Sequence, residues 1–248
     1  MTSNLNILPR DAIRSAEYYQ AGMSQLQAAI AAYTDYDNPV LLASVAPKCV
    51  RMGLILYSAG AEASQSYACF EKAASYQLRF ISEGKQYQLG GKGGIDNYLE
   101  LYSAAHLVDQ SAELIAALKK CTYTDKDDPV VARLIDQFCD VLLDRLVETD
   151  DSQITQLKAI DARLAVLPIL FSEVSRRSDT ATLALEEYLA KHWGPALEKL
   201  AKKELKSPKA DYAGKWCLLA VAMCKQLGTV PALSVKAKSY LPVELLRA

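Results

Sequence analysis

Apolar residues recur at three- and four-residue spacing along almost the whole chain, which is typical of helices that bury one face. No stretch alternates apolar and polar residues for long enough to predict a strand. We therefore predict an all-α fold, a compact array of roughly 9–11 helices that ends in an extended segment punctuated by prolines. The 248 residues are long enough to bury a core, and we expect residues 1–248 to form a single domain.

Prolines, glycines and capping acids predict where these helices begin and end. Asp128 followed by Pro129 is a strong helix start, because the carboxylate can accept from first-turn amides and proline needs no hydrogen bond there. Asp96 is a second candidate cap, Pro47 is expected to end or kink its helix, and Gly228 suits a left-handed helix end. The predicted helices cover residues 9–33, 40–57, 60–82, 96–106, 112–120, 129–148, 152–157, 160–174, 179–205 and 211–226.

Four acids stand at four-residue intervals on the helix predicted over residues 129–148: Asp136, Asp140, Asp144 and Glu148. On a helix these acids would cover one broad face, opposite an apolar side. Like charges four residues apart repel by about 0.2–0.5 kcal/mol per pair, so the arrangement invites a reason. The apolar side is predicted to consist of Val131, Leu134, Ile135, Phe138, Leu142 and Leu146.

The net charge of −1 gives no overall attraction to nucleic acid or anionic membranes, but the charges are segregated along the chain. Nine acids and three bases between residues 125 and 151 give a local net charge of −6. Six lysines and two glutamates between residues 191 and 209 give a local net charge of +4. Three roles stay open for the acid face: plain solvation, pairing with this lysine-rich segment, or docking of a basic partner.

No set of residues in the chain predicts catalysis or metal binding. Only His106 and His192 supply imidazoles, and neither has a second ligand three or four residues away. The run from Gly90 to Gly94 lacks the spacing and the preceding strand of a phosphate-binding loop, so we interpret it as a mobile interhelical connection. The six cysteines form no C-x-x-C pair and are expected to be reduced and buried. We expect no enzyme activity, no cofactor and no metal.

Neither nucleic acid nor a membrane is an expected partner. The lysines between residues 199 and 209 have no aromatic residue among them, which favours a solvated helix end. The first ten residues carry neither the basic leader nor the apolar stretch of a secretory signal, so we expect a cytoplasmic protein. Fourteen tyrosines against four phenylalanines favour a protein-binding role slightly, since tyrosine is enriched in interfaces.

The C-terminal half carries a series of packing motifs. They are His192-Trp193 within a long helix, Asp211-Tyr212-Ala213 before the apolar stretch 216–222, Leu227-Gly228, and the ending 240–246. With these motifs, the alanine-rich stretch 53–80 and the helix 98–118, the chain resembles the immunity protein 49 family of bacterial polymorphic toxin systems. It is also similar to a related all-α immunity family that guards against polymorphic nucleases.

The resemblance implies a cytoplasmic immunity protein, or antitoxin, that binds one cognate toxin domain and blocks it stoichiometrically, a nuclease being one such toxin. It carries over no catalytic residue and no fixed contact residue. We interpret Trp216, Tyr240 and Pro242 as residues that hold the fold, with the terminal segment packed back on the last helices.

The acid face and the resemblance together give one hypothesis about the binding site. Asp136, Asp140, Asp144 and Glu148 are the candidate toxin-binding residues, and they would occupy the basic groove that a nuclease offers to phosphates. The alternative function is a helical-repeat scaffold or adaptor that binds peptides.

Overall fold

The computed structural model describes residues 24, 27, 28, 30–32, 39–58, 60–83, 91–120, 128–204 and 216–246. Every regular element in these ranges is helical, which confirms the all-α prediction. The helix predicted over residues 9–33 lies mostly outside them. The elements are α1 (Pro39–Ser58), α2 (Ala63–Ser82), α3 (Gly91–Leu107), α4 (Ser111–Leu118), α5 (Pro129–Leu142), α6 (Asp151–Ile160), α7 (Ala162–Ala165), α8 (Leu167–Ser175), α9 (Ala181–Glu187), a π-helix (Tyr188–Trp193), α10 (Gly194–Glu204), α11 (Leu218–Leu227), α12 (Val235–Lys238) and a 3-10 helix (Val243–Leu246).

Helix α11 lies inside the core. Its residues from Leu218 to Cys224 are all buried, as expected of a helix that is apolar all round and surrounded by protein. It packs against α3 and contacts α5, α8 and the 3-10 helix. It ends at Gly228 in the left-handed conformation (φ 68°), as predicted. In the described ranges, no helix combines the length and the apolar character that a membrane crossing requires.

Helices α1 and α2 form a closely packed pair. A Cβ atom on Gly53 would lie 2.6 Å from Phe70 Cε1 and 3.0 Å from the carbonyl oxygen of Ser66, so only glycine allows this approach. The Ser66 hydroxyl donates to Gly53 O at 2.8 Å. Helix α1 runs on through Pro47, which excludes the predicted end there; a proline costs about 3 kcal/mol inside a helix, and burial of neighbours such as Val50 offsets this.

The C-terminal residues pack back onto this helix pair. Trp216 Nε1 donates to Ser58 Oγ at 2.7 Å, and Tyr67 Oη donates to the carbonyl oxygen of Leu245 at 2.7 Å. Tyr240 is fully buried, and its carbonyl oxygen accepts from the backbone N–H of Cys217 at 3.0 Å. These contacts agree with the structural roles predicted for Trp216 and Tyr240, and Pro242 is buried as well. The segment packs on α1 and α2 in addition to α11, however, and not on the last helices alone as predicted.

Two predictions for the start of α3 are wrong. The helix begins at Gly91, so the glycines up to Gly94 form its first turn and not a connection, while residues 84–90 lie outside the described ranges. Asp96 is not a cap: it lies inside α3, where its carboxylate accepts from Arg163 Nη2 at 3.1 Å. Each glycine costs about 1 kcal/mol in a helix relative to alanine, and burial of Tyr98 in the same helix offsets part of that cost.

Three predicted C-terminal helices have different boundaries in the structure. The helix predicted over residues 160–174 is divided into α7 and α8, with Pro168 in the first turn of α8. The helix predicted over residues 179–205 is continuous from α9 to α10 but widens into the π-helix between them. The helix predicted over residues 211–226 begins at Leu218, because Trp216 and Cys217 are not helical.

Candidate docking surface

The four candidate acids do not share one helix. Asp128 and Pro129 start α5 as predicted, with Asp128 Oδ1 accepting from the N–H of Val130 at 2.9 Å. However, α5 ends at Leu142, so only Asp136 and Asp140 lie on it. Asp144 lies in the following turn, and Glu148 lies in the irregular segment before α6. The predicted helix over residues 129–148 is therefore wrong in its last turns.

The chain leaves the helix because Asp144 is left-handed, with φ 57°. Its N–H donates to Val141 O at 3.0 Å, and the N–H of Arg145 donates to Asp140 O at 2.8 Å. These two bonds form a Schellman helix end. After this turn Val147 enters the core, whereas Leu146, predicted on the apolar side, is 75% exposed. The apolar periodicity gave a wrong prediction because Leu146 and Val147 are adjacent apolar residues and only Val147 fills the buried position.

Helix α8 ends in the same way. Arg177 is also left-handed, with φ 49°, and its N–H donates to Val174 O at 3.0 Å. Arg177 Nη2 lies 3.2 Å from Asp144 Oδ1 and 3.4 Å from Oδ2, so the side chains at the two left-handed positions form an ion pair. Helices that end this way usually have glycine at the left-handed position, as α11 has at Gly228.

Buried polar side chains hold the underside of residues 143–150, which we call the 143–150 turn. The N–H of Val147 donates to Ser175 Oγ on α8 at 3.0 Å. The carbonyl of Glu148 accepts from Gln137 Nε2 on α5 at 2.9 Å, and Gln153 on α6 donates in turn to Gln137 Oε1 at 3.0 Å. Three helices therefore hold the backbone of Val147 and Glu148, the two residues that follow Leu146.

The acids of this region pair with bases of the chain. Asp140 Oδ1 lies 3.4 Å from Lys119 Nζ and 3.4 Å from Arg145 Nη1. Asp150 Oδ2 accepts from Arg133 Nη1 at 2.7 Å. This bond, together with the N–H of Ser152, holds the pKa of Asp150 below its usual value. Internal pairing was one of the open roles for the acids, but these partners come from other elements than the lysine-rich segment 191–209.

Exposed side chains cover the outer side of the turn. Asp144, Arg145, Leu146, Glu148 and Thr149 are all exposed, and Arg176 and Arg177 are exposed at the end of α8. We call these seven side chains the turn surface. It therefore combines one large apolar side chain with three arginines and two acids, on a backbone that the core holds in place.

In the described ranges, His106 and the cysteines are buried, whereas His192 is partly exposed. Nδ1 of His106 lies 3.1 Å from Ser111 Oγ. The described cysteines are buried and unpaired, and burial raises the pKa of Cys49 and of Cys139 to about 12, so these thiols stay protonated at neutral pH. Cys121 lies outside the described ranges. Within the ranges, no group of three or more His, Cys, Asp or Glu residues could hold a metal ion.

Several residues that form this surface were not predicted from the sequence. Leu146 was predicted on the apolar side of a helix, and no role was predicted for Arg177, Ser175 or Gln137. No local signal identifies these three, since each acts on a residue at least 11 positions away along the chain. The tertiary packing of α5 against α8 brings them together.

Asp144→Gly is expected to leave the free energy of unfolding unchanged or to raise it by up to about 1 kcal/mol. A left-handed non-glycine residue costs roughly 1–2 kcal/mol, and an exposed ion pair returns only about 0.2–1 kcal/mol. Urea unfolding measures the difference. Ala116→Gly inside α4 is the matched control and should destabilise by about 1 kcal/mol, since glycine is the poorer helix former. A loss above about 1 kcal/mol for Asp144→Gly would show that the carboxylate stabilises the fold.

Comparison with known proteins yields no relative. The chain matches no protein-family model, no curated protein and no solved structure. An assignment of function therefore depends on the turn surface itself and on the motifs in the sequence.

Proposed function

We propose that this protein is an immunity protein that binds one cognate toxin domain and blocks it, with the turn surface as the docking surface. The observation that supports the proposal is the contrast between the two sides of the 143–150 turn. Its underside is held by Gln137, Ser175 and the buried Val147, while its outer side chains are exposed. Binding residues commonly lie on loops that a rigid scaffold positions, and a loop held in its bound shape loses little entropy on binding.

Steric blocking explains why such a protein needs no catalytic group. An inhibitor that covers an active site has only to bind more tightly than the substrate, and electrostatic attraction between the two surfaces accelerates encounter. The turn surface supplies charges of both signs for this purpose. The described part of the chain contains no metal-binding cluster, and His106 and the described cysteines are buried.

The four candidate acids contribute unequally to this proposal. Asp140 and Asp144 already accept from bases of the chain, so a toxin that used them would have to displace or share Lys119, Arg145 or Arg177. Glu148 is exposed, and the fold uses its carbonyl group instead of its carboxylate. Asp136 is exposed on α5. Glu148 is therefore the candidate acid that the described contacts leave most available to a toxin.

The experiment uses the product of the gene next to the gene for this chain, where we expect the toxin domain to be encoded. Co-expression is expected to restore the growth of cells that make the active toxin. Size-exclusion chromatography with light scattering is expected to show a one-to-one complex with a catalytically inactive toxin variant. Toxins from unrelated gene pairs should still kill, because immunity requires a matched surface. The absence of both growth rescue and a complex would overturn the proposal.

The same reagents separate the proposal from the scaffold alternative. An immunity protein needs the folded toxin, so overlapping peptides that cover the toxin sequence should not compete with the intact domain. A scaffold or adaptor would bind an extended segment, as peptide-recognition grooves do. Competition by one such peptide at the affinity of the intact domain would favour the alternative.

A further inference from the structure

The turn surface also indicates what its partner presents. We infer that Leu146 is the anchor of the docking surface, and that it enters an apolar pocket of the toxin bordered by carboxylates that Arg145 and Arg177 bind. This inference rests on the proposed function and goes beyond it by naming the chemistry of the partner surface. It also reverses the charge that the acid face suggests for that partner.

Leu146 is an exposed side chain on a backbone that the fold holds in place. A single exposed leucine is common on protein surfaces and has no meaning by itself. Leu146 is 75% exposed in a turn whose backbone is bonded to Ser175 one residue later and to Gln137 two residues later. Its neighbour Val147 fills the core position, so the core has no use for Leu146. A large apolar side chain held at a fixed place in solvent is the form that interface anchors take.

The turn surface also contains two left-handed residues, Asp144 and Arg177. Asp109 is also left-handed, with φ 58°, and there the fold gives a reason: Lys225 Nζ joins Asp109 Oδ1 at 2.7 Å to the carbonyl of His106 at 2.8 Å, and so ties α11 to α3. Asp144 and Arg177 are left-handed because they end α5 and α8, as Gly228 ends α11. Their side chains pair with each other but are 66% and 61% exposed, where water screens the attraction. The fold therefore uses the backbone of these residues and leaves their side chains within reach of a partner.

Among the described contacts, Arg145 and Arg177 keep N–H groups available for a partner. The described contacts occupy both carboxylate oxygens of Asp144 and give Asp140 two cationic neighbours. Arg145 uses only Nη1 in these contacts and Arg177 only Nη2. The other N–H groups of each guanidinium can bind a carboxylate in the two-pronged geometry that arginine favours. Arginine is also one of the residues enriched in interface hot spots.

The test measures the affinity of four variants for the inactive toxin domain by calorimetry. Leu146→Asp should weaken binding by about 30-fold or more, and Arg145→Gln by about 5–10-fold. Val235→Asp is the matched control, because Val235 on α12 is also 75% exposed, and it should bind like the wild type. Glu148→Lys should bind as well as the wild type or more tightly, since it adds a cation beside the proposed carboxylates. All four should keep the wild-type unfolding midpoint, because none of these side chains is buried.

Each other outcome counts against the inference. Wild-type affinity for Leu146→Asp, or an equal loss for Val235→Asp, would remove Leu146 as the anchor. Weakening by Glu148→Lys without any loss for Arg145→Gln would mean that the partner is basic, as the acid face suggests. A wild-type protein that does not bind the toxin would instead overturn the proposed function, and that failure is visible before any variant is made.

Discussion

Phe138→Ala is expected to lower the free energy of unfolding by about 3–5 kcal/mol. Phe138 lies on α5 with no exposed surface, and its ring stacks on Phe171 of α8 with the ring centres 5.4 Å apart. Removing it deletes the buried apolar area and leaves a cavity that the packed helices cannot close. Chemical denaturation monitored by circular dichroism measures the loss.

Phe138→Leu is the matched control for this substitution. It keeps most of the buried area and should cost less than half as much as the alanine variant. A loss below about 1 kcal/mol for Phe138→Ala would show that α5 and α8 do not depend on this contact. The pair matters for the docking surface too, because α5 and α8 end in the turns that carry Asp144 and Arg177.

The start of α5 could be predicted from the sequence, and its end could not. Asp128 and Pro129 act within one turn of themselves, so their effect is readable from the residues alone. The end depends on whether Leu146 or Val147 enters the core, and both suit an apolar position. Packing against α8 decides for Val147, and the bond from its N–H to Ser175 fixes that choice. Because the acids recur every four residues, the helix was predicted to continue beyond its true end at Leu142.

The candidate site shows the same limit more strongly. Its acids could be identified because they are periodic, but the bases that pair with them could not. Lys119 lies 21 positions from Asp140, and Arg177 lies 33 positions from Asp144. The left-handed conformation of Asp144 and Arg177 could not be foreseen either, since neither is the glycine that usually marks such a helix end. By contrast, Gly228 was correctly predicted because its residue type alone signals the conformation.

The motifs behind the family resemblance concern packing and not recognition. Trp193 and Tyr240 are buried, and a Cβ atom on Gly194 would lie 2.5 Å from the hydroxyl oxygen of Tyr240, so these residues belong to one tight contact. Motifs of this kind predict which helices meet. They cannot locate a docking surface, because that surface consists of exposed side chains whose positions depend on the whole fold.

A second large effect is expected from pH, through His106. Burial lowers the pKa of His106 to about 4, and the nearby Lys225 cation lowers it too, while Asp109 and Gln226 each raise it by less. The ring has one described hydrogen bond, between Nδ1 and Ser111 Oγ. A second proton on the ring would therefore place a charge in the core that Asp109 and Gln226 compensate only in part.

The direction of the effect follows from proton uptake. Unfolded His106 binds a proton below its ordinary pKa of about 6.5, whereas folded His106 stays neutral down to about pH 4. Its contribution to the free energy of unfolding is therefore complete above pH 6.5, falls by about 1.4 kcal/mol per pH unit below that, and levels off near pH 4 after a loss of about 3 kcal/mol. Urea unfolding between pH 7 and pH 4 measures this slope.

His106→Phe isolates the contribution of the imidazole, because the carboxylates that titrate in the same range are common to both proteins. The variant leaves Ser111 without its ring partner and should lose about 1 kcal/mol at pH 7, where His106 is neutral. It should then lose less than the wild type on acidification, so that the two stability curves cross between pH 6 and pH 4. Curves that stay parallel down to pH 4 would mean that folded His106 takes up its proton as readily as the unfolded chain does, and that Lys225 and the core around it do not keep the ring neutral.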